Sequence, residues 1–140
     1  MSNRLVDTNL LLYRVDQRSK YHQSTKVLLN DPNHDLFTTS KNISEFIAVA
    51  TRNSGKGGLE WTVEEAINSL EELLQELIVL YPSPDTTARF RNLLLKYKPT
   101  NNDVHDYEIA AIALENRIVE IATHNATDFK KITEIIVISI

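Results

Sequence analysis

The amino-acid sequence predicts an α/β fold built on a parallel β-sheet. Short apolar segments typical of buried strands alternate with helix-like segments along the whole chain. Strands that are joined by crossover helices form a parallel sheet covered on both faces. Two of the apolar segments, Leu5-Val6 and Ile121-Ala122-Thr123, lead toward acidic residues. Because ligands bind beyond the carboxyl ends of strands in open α/β sheets, these two ends are candidate functional positions.

The order of the predicted elements follows from local sequence patterns. Strands are predicted at residues 4–8, 36–38, 78–81, 119–123 and 135–138, and helices at residues 10–16, 21–29, 42–52, 62–77, 84–98 and 104–116.

Three of the helices have specific signals in the sequence. Apolar residues at helical spacing define one face of the helix at 42–52, from Ile43 to Ala50. Thr62 and Glu65 form a capping box, which predicts that a helix starts there. Ser83 is a helix cap that is followed by Pro84 and an acid in the first turn.

One interior segment is predicted to be a flexible loop. Residues 53–58 contain all three glycines of the chain together with small polar residues. The segment lacks the GxxxxGK[ST] spacing of a phosphate-binding loop, so we interpret it as a hinge or as a loop at the edge of a substrate site.

Length and composition predict a single cytoplasmic domain spanning residues 1–140. A chain of this length can bury one sizeable core, whereas two domains would each lack one. The absence of cysteine excludes disulfides, thiolate metal sites and thiol catalysis. No apolar segment approaches the length of a membrane span or of a signal peptide, so no membrane association is expected.

The net charge of −4 disfavours a polyanionic substrate at first sight. If four acids bind cations, however, the remaining 15 acids equal the 15 basic residues. The charge therefore does not exclude a nucleic acid substrate.

Four acids lie at positions that a solvated surface does not fully explain. Asp7 and Asp128 lie at the ends of predicted strands, Glu45 lies in a weakly charged helix, and Asp106 lies in the first turn of a helix. Carboxylates from distant segments are the ligands that Mg²⁺ and Mn²⁺ prefer, and like charges brought together repel without a cation. The four acids therefore predict a divalent metal site.

Each acid also has a simpler interpretation when it is taken alone. Asp7 could cap the following helix, and Asp106 could favour a helix start that Asp103 caps. Glu45 could be solvated, and Asp128 could belong to a turn. The histidines lack metal-binding spacing and are interpreted as surface or capping residues, and no serine or threonine lies in a nucleophile elbow.

In their order along the chain, these motifs resemble the PIN domain, in particular the VapC-type toxin ribonucleases of type II toxin–antitoxin systems. The resemblance covers nearly the whole chain and consists of four motifs: Val6-Asp7-Thr8-Asn9, Ile43-Ser44-Glu45-Phe46, Val104 to Ala111, and Thr123 to Phe129. It implies a three-layer α/β/α sandwich with a central parallel sheet. Asp103 is a competing acid for the third motif.

The resemblance also implies a function. It predicts a Mg²⁺ or Mn²⁺ site formed by Asp7, Glu45, Asp106 and Asp128, and metal-dependent cleavage of RNA by an endoribonuclease. Its expected partners are RNA, a cognate antitoxin and a second copy in a homodimer. Hydroxyl and amide groups suited to orienting the metal ligands belong to Thr8, Asn9, Thr123 and Asn125. Basic residues that could bind RNA phosphates are Arg52, Lys56, Arg89, Arg91, Lys96 and Lys98.

Two other interpretations remain open from the sequence. A different metal-dependent phosphohydrolase of the haloacid-dehalogenase type would need an acid two positions after Asp7, where this chain has Asn9. A non-catalytic PIN-like interaction module would use the acids only to bind a partner.

Overall fold

The computed structural model describes residues 2–140, which form five β-strands and seven α-helices. The strands are β1 (Ser2–Val6), β2 (His34–Thr39), β3 (Ile78–Leu80), β4 (Glu120–Thr123) and β5 (Ile136–Ser139). The helices are α1 (Thr8–Val15), α2 (His22–Leu29), α3 (Ser40–Thr51), α4 (Val63–Leu73), α5 (Pro84–Tyr97), α6 (Val104–Glu115) and α7 (Ala126–Phe129). None of these helices is long and apolar enough to span a membrane.

The strands form one parallel sheet with the order β3-β2-β1-β4-β5, which confirms the predicted fold class. From β1 the chain builds outward through β2 and β3, and it then crosses to the other side of β1 to add β4 and β5. The strand order therefore reverses between β1 and β4. In parallel α/β sheets, the crevice at the carboxyl ends of such a strand pair is where ligands bind.

The central strands separate two hydrophobic cores. Successive side chains of a strand point to opposite faces, and Leu5 accordingly packs in one core while Val6 packs in the other. Ile121 and Ala122 divide in the same way on β4. Core residues from α5, α6 and α7 cover one face of the sheet, and those from α1, α2, α3 and α4 cover the other. The predicted three-layer sandwich is confirmed.

Several predicted boundaries were wrong. The first strand ends at Val6 rather than at residue 8, because Asp7 caps α1 and Thr8 already belongs to that helix. Helix α4 ends at Leu73 rather than near Leu77, since the chain must reverse before it enters β3. Helix α7 was missed because it spans only four residues. The segment at 53–58 is outside the main elements as predicted, but it contains a short 3-10 helix.

Candidate functional site

The centre of the site lies where β1 and β4 end side by side. The pairing of Leu5 with Ile121 and of Val6 with Ala122 brings the next residues, Asp7 and Thr123, next to each other. The backbone N–H of Asp7 donates a hydrogen bond to the carbonyl of Ala122 at 2.9 Å. The Thr123 hydroxyl donates to Oδ2 of Asp7 at 2.7 Å. The predicted acid and hydroxyl of two distant segments therefore meet at the reversal of strand order.

Asp7 is held by neutral donors on both carboxylate oxygens. Its Oδ1 accepts from the backbone N–H of Thr8 at 2.9 Å and from Nδ2 of Asn42 at 3.1 Å. Its Oδ2 accepts from Thr123 and, at 3.5 Å, from Nδ2 of Asn9. Only 6% of Asp7 is exposed. Burial raises the pKa of Asp7 above its usual range, and the bonds from Thr123, Thr8 and Asn42 oppose that shift.

Asn42 is a site residue that the sequence analysis did not identify. It is fully buried, and its Nδ2 also donates to the Thr8 hydroxyl at 2.9 Å. Its Oδ1 accepts from the Thr39 hydroxyl at 2.6 Å, while its backbone N–H donates to that hydroxyl at 3.1 Å. Thr39 and Asn42 thus cap α3 reciprocally. The spacing of Thr39 and Asn42 immediately after a strand was the signal that could have located this residue.

Glu45 lies one turn beyond Asn42 on α3 and is exposed. Its Oε2 accepts a hydrogen bond from the Thr8 hydroxyl at 3.2 Å. The Thr8 side chain therefore contacts both Glu45 and Asn42, and Asn42 contacts Asp7. This chain of contacts joins the first and second sequence motifs.

Asp106 lies in the first turn of α6 and is partly buried. Burial raises its pKa to about 7, with additional contributions from the negative charges of Asp7, Asp128, Asp103 and Glu45. The four predicted acids therefore interact electrostatically. Asp103 occupies the cap position of α6, but its side chain makes no capping hydrogen bond.

A cavity of about 570 Å³ lies between α3, α6 and the start of α7. Its lining includes the carboxylates of Glu45, Asp103, Asp106 and Asp128, together with Asn125. A smaller cavity of about 220 Å³ is also lined by Asp103, Asp106 and Asp128. Within residues 2–140, no three acidic or histidine side chains lie close enough together to chelate one ion directly. The carboxylates surround the space and do not converge on one point.

The remaining predicted orienting groups lie around Thr123. The Thr123 hydroxyl accepts from the backbone N–H of Asn125 at 2.9 Å and from Nδ2 of Asn9 at 3.4 Å. Oδ1 of Asn9 accepts from the backbone N–H of His124 at 3.1 Å. Asn9 and Thr123 therefore fix both Asp7 and the loop that follows β4.

Of the six predicted basic residues, only Lys98 lines an acidic cavity. Arg52, Lys56, Arg89, Arg91 and Lys96 line neither cavity. Arg89 lies 3.5 Å from Glu115, and Lys96 lies 3.1 Å from Glu134. The lysines that do line the cavities are Lys41, Lys98 and Lys131.

Of these three lysines, sequence reasoning included only Lys98. Nζ of Lys41 lies 2.6 Å from Oε2 of Glu108, and Nζ of Lys131 lies 3.7 Å from Oδ1 of Asp128. The first ion pair joins α3 to α6, and the second joins two residues that are three positions apart. The sequence analysis identified neither ion pair.

The sequence of residues 4–135 matches the family described as the PIN domain. The chain belongs to the PIN domain family. This membership agrees with the parallel sheet and with the order of the acidic motifs. No curated protein matches the sequence.

Solved structures share the same PIN fold. VapBC-1 from nontypeable Haemophilus influenzae matches with 26% identity and a TM-score of 0.69, covering 98% of this chain and 97% of that chain. A toxin–antitoxin complex from Klebsiella pneumoniae matches with 21% identity and a TM-score of 0.67, covering 95% of each chain. The sarcin-ricin loop cleaving toxin VapC20 of Mycobacterium tuberculosis matches with 14% identity and a TM-score of 0.65, covering 84% of this chain and 86% of that chain.

Proposed function

We propose that this PIN domain is a metal-dependent endoribonuclease and the toxin of a type II toxin–antitoxin pair. The observation that carries the proposal is a set of four acids from four distant segments. Glu45, Asp106 and Asp128 line one cavity, and Asp7, at the reversal of strand order, interacts with Asp106 through its charge. The similarity to VapBC-1 and to a toxin that cleaves the sarcin-ricin loop supports both parts of the proposal.

The donor set fits Mg²⁺ or Mn²⁺ as the cofactor. Both ions prefer oxygen ligands, and Mg²⁺ in such sites is held by one or two carboxylates while it keeps several waters. Carboxylates that surround a cavity without converging suit this mode of binding. In addition, burial and then the negative charges of neighbouring acids raise the pKa of Asp106, and a cation would offset that negative charge. Asp7 and Asp106 would hold an ion, with Glu45 and Asp128 holding a second ion or bound water.

The chain's own residues would prepare the site for phosphodiester hydrolysis. When bound, a divalent cation lowers the pKa of a coordinated water and offsets negative charge on the phosphate oxygens. Asn42, Thr8 and Thr123 hold the Asp7 carboxylate in one orientation, so it need not reorganise during the reaction. The ammonium group of Lys41 lies at the same cavity and suits a phosphate of the substrate.

An antitoxin would occupy the same acidic cavity. The planar guanidinium of an arginine can bind a carboxylate through two parallel hydrogen bonds, so an arginine-bearing segment could take the place of the metal. The similarity to a toxin–antitoxin complex from Klebsiella pneumoniae supports an antitoxin partner. The homodimer and the cytoplasmic location stay predictions.

The decisive experiment compares Asp106→Asn with Asp85→Asn. Both aspartates lie in the first turn of a helix, but Asp85 is exposed on α5 and lines neither acidic cavity. We expect Asp106→Asn to reduce metal-dependent RNA cleavage at least about 100-fold, on the order of the losses that follow removal of a group acting on the transition state. Asp85→Asn should cleave like the wild type. Cleavage is measured on single-stranded and structured RNA in Mg²⁺, Mn²⁺ or EDTA.

Three results would contradict the assignment. Cleavage that survives EDTA would exclude a metal-dependent nuclease. Equal cleavage by the wild type and Asp106→Asn would exclude the proposed site. A wild type that cleaves no RNA but binds a partner protein through the acids would favour the non-catalytic module instead.

A further inference from the structure

Beside the acidic cavity lies a cluster of three aromatic rings from separate segments, namely Tyr13 of α1, Tyr21 before α2, and His124 after β4. The ring centroids of Tyr21 and His124 are 4.4 Å apart, and those of Tyr13 and Tyr21 are 4.9 Å apart. Tyr13 meets His124 edge to face at 5.7 Å. We define these three residues as the aromatic cluster.

The backbone connects the aromatic cluster directly to the proposed metal site. His124 lies between Thr123, whose hydroxyl contacts Asp7, and Asn125, which lines the larger acidic cavity. The backbone N–H of His124 also donates to Asn9. Asn9 therefore holds both the backbone of His124 and, together with Thr123, the Asp7 carboxylate.

The aromatic cluster is partly open to solvent, unlike a contact in the hydrophobic core. His124 is exposed, while Tyr13 and Tyr21 are partly buried behind it. One side of the imidazole thus contacts the tyrosines and another faces solvent. Nζ of Lys20, also exposed, lies 5.1 Å from the centroid of the Tyr21 ring. An accessible aromatic ring beside a cation is the combination that binds unpaired nucleotides, through base stacking and phosphate attraction.

We propose that His124, supported by Tyr21 and Tyr13, stacks on an unpaired nucleobase adjacent to the cleaved phosphate. Lys20 contributes positive charge for the RNA backbone at the same place. This inference rests on the proposed ribonuclease function and deepens it, because it assigns a base-stacking position to residues outside the four acids. A base within a duplex cannot present its face to the ring.

The test measures RNA binding without cleavage, in the Asp106→Asn protein. The probes are a fluorescein-labelled single-stranded oligoribonucleotide and the same strand in a full duplex. His124→Ala should raise the Kd for the single strand by roughly 5- to 150-fold, which is the range for loss of one stacked base. His124→Phe, which keeps a ring, should restore most of the affinity. The Kd for the duplex should not change.

Val119→Ala is the matched control, since Val119 is exposed next to the opposite end of β4. It should leave both affinities unchanged. Melting temperatures of all variants establish that they fold.

The possible failures are distinguishable. If the protein with Asp106 intact cleaves RNA with metal, but His124→Ala binds the single strand normally, the stacking role is wrong and the proposed function stands. If His124→Ala raises the Kd for the single strand and for the duplex equally, His124 contributes only general affinity for RNA, and the stacking role is again wrong. If His124→Ala weakened the binding of an antitoxin but not the binding of RNA, the aromatic cluster would be a protein contact and the stacking role would be wrong. A chain that neither cleaves nor binds RNA would contradict both proposals.

Discussion

Opposing effects act on the pKa of the Asp7 carboxyl group. Burial disfavours its charge and raises its pKa, whereas hydrogen bonds from Thr123, Thr8 and Asn42 favour the charged form. Its position at the end of a short apolar strand made it identifiable from the sequence. The donor Asn42 was not identifiable in the same way, because the contact joins residues 35 positions apart and depends on how α3 packs against α1.

We predict that Asn42→Leu destabilises the protein, although leucine is apolar and the position is buried. The substitution keeps approximate volume but removes the partners of Asp7, Thr8 and Thr39 inside the core. Leaving a buried group unsatisfied costs about 1–3 kcal/mol, so urea unfolding should show a loss of at least that size. Ser44→Ala, an exposed change on the same helix, should cost less than about 0.5 kcal/mol. Equal stability of Asn42→Leu and the wild type would contradict this account.

The raised pKa of Asp106 predicts an unusual pH dependence of stability in metal-free buffer. The folded state binds a proton near pH 7, whereas the unfolded chain binds it only near pH 3.8. The free energy of unfolding should therefore increase as pH falls from 8 toward 5. The pKa values of Glu120 and Glu134 are lowered in the folded state, so the stability that these two groups contribute is lost only at more acidic pH.

Thermal melts in EDTA between pH 8 and 5 measure this effect. Asp106→Asn should reduce the dependence, because it removes one of the two site acids whose pKa is raised and leaves Asp7, while Asp85→Asn should keep it. A wild type that loses stability steadily over that range would show that Asp106 is an ordinary solvated acid.

Helices with reciprocal caps were the most predictable elements. Thr62 and Glu65 cap α4 with both expected hydrogen bonds, and α5 begins at Pro84 after Ser83. These signals depend on residues three positions apart, so a single sequence contains them in full. The end of α4 and the short helix α7 depend instead on where the following strand must begin, which local patterns do not encode.

The glycine-rich segment after α3 illustrates a tertiary constraint that composition did not reveal. It was predicted to be flexible, but Gly58 lies directly against the backbone of Arg52, where an added Cβ would be 2.1 Å from the carbonyl oxygen. A Cβ added at Gly55 would come no nearer than 3.7 Å to its closest neighbour, Oδ1 of Asn53. The two glycines therefore have different roles within one short loop.

We predict that Gly58→Ala destabilises the protein by about 1–3 kcal/mol, since the backbone must move to admit the methyl group. Gly55→Ala is the control and should change the free energy of unfolding by less than about 0.5 kcal/mol. Both are measured by urea unfolding under the same conditions. If the two variants are equally stable, the close approach at Gly58 does not constrain the loop.

At the level of the complete fold, alternation of strands and helices was sufficient to predict a parallel sheet but not its strand order. The order β3-β2-β1-β4-β5 places residues 7 and 123 side by side, and it brings α3 and α6 to the same end of the sheet. No local pattern encodes this juxtaposition. The acids could be chosen from their positions at strand ends, at a helix start and in a weakly charged helix, whereas two of the three lysines that line the cavities, Lys41 and Lys131, were not identified.

The arrangement of charge around the cavity leads to the final prediction, that Mn²⁺ stabilises the folded protein specifically. Carboxylates that repel one another in the metal-free fold are the groups whose charge an ion would offset. At a concentration one hundred times its Kd, a ligand adds about 2.7 kcal/mol of stability, equivalent to a rise of about 10 °C in Tm for a domain of this size. The rise should be larger at pH 7.5 than at pH 6, because protons compete with the ion for Asp106.

Potassium chloride at matched ionic strength separates binding from simple screening of charge. Asp85→Asn should show the same rise as the wild type, and Asp106→Asn should lose most of it. Asp106 supplies a ligand charge in this account, so a variant without it retains only the weaker attraction of the remaining acids. An equal rise in potassium chloride, or an unaltered rise in Asp106→Asn, would show that the cavity does not hold a divalent ion through this residue.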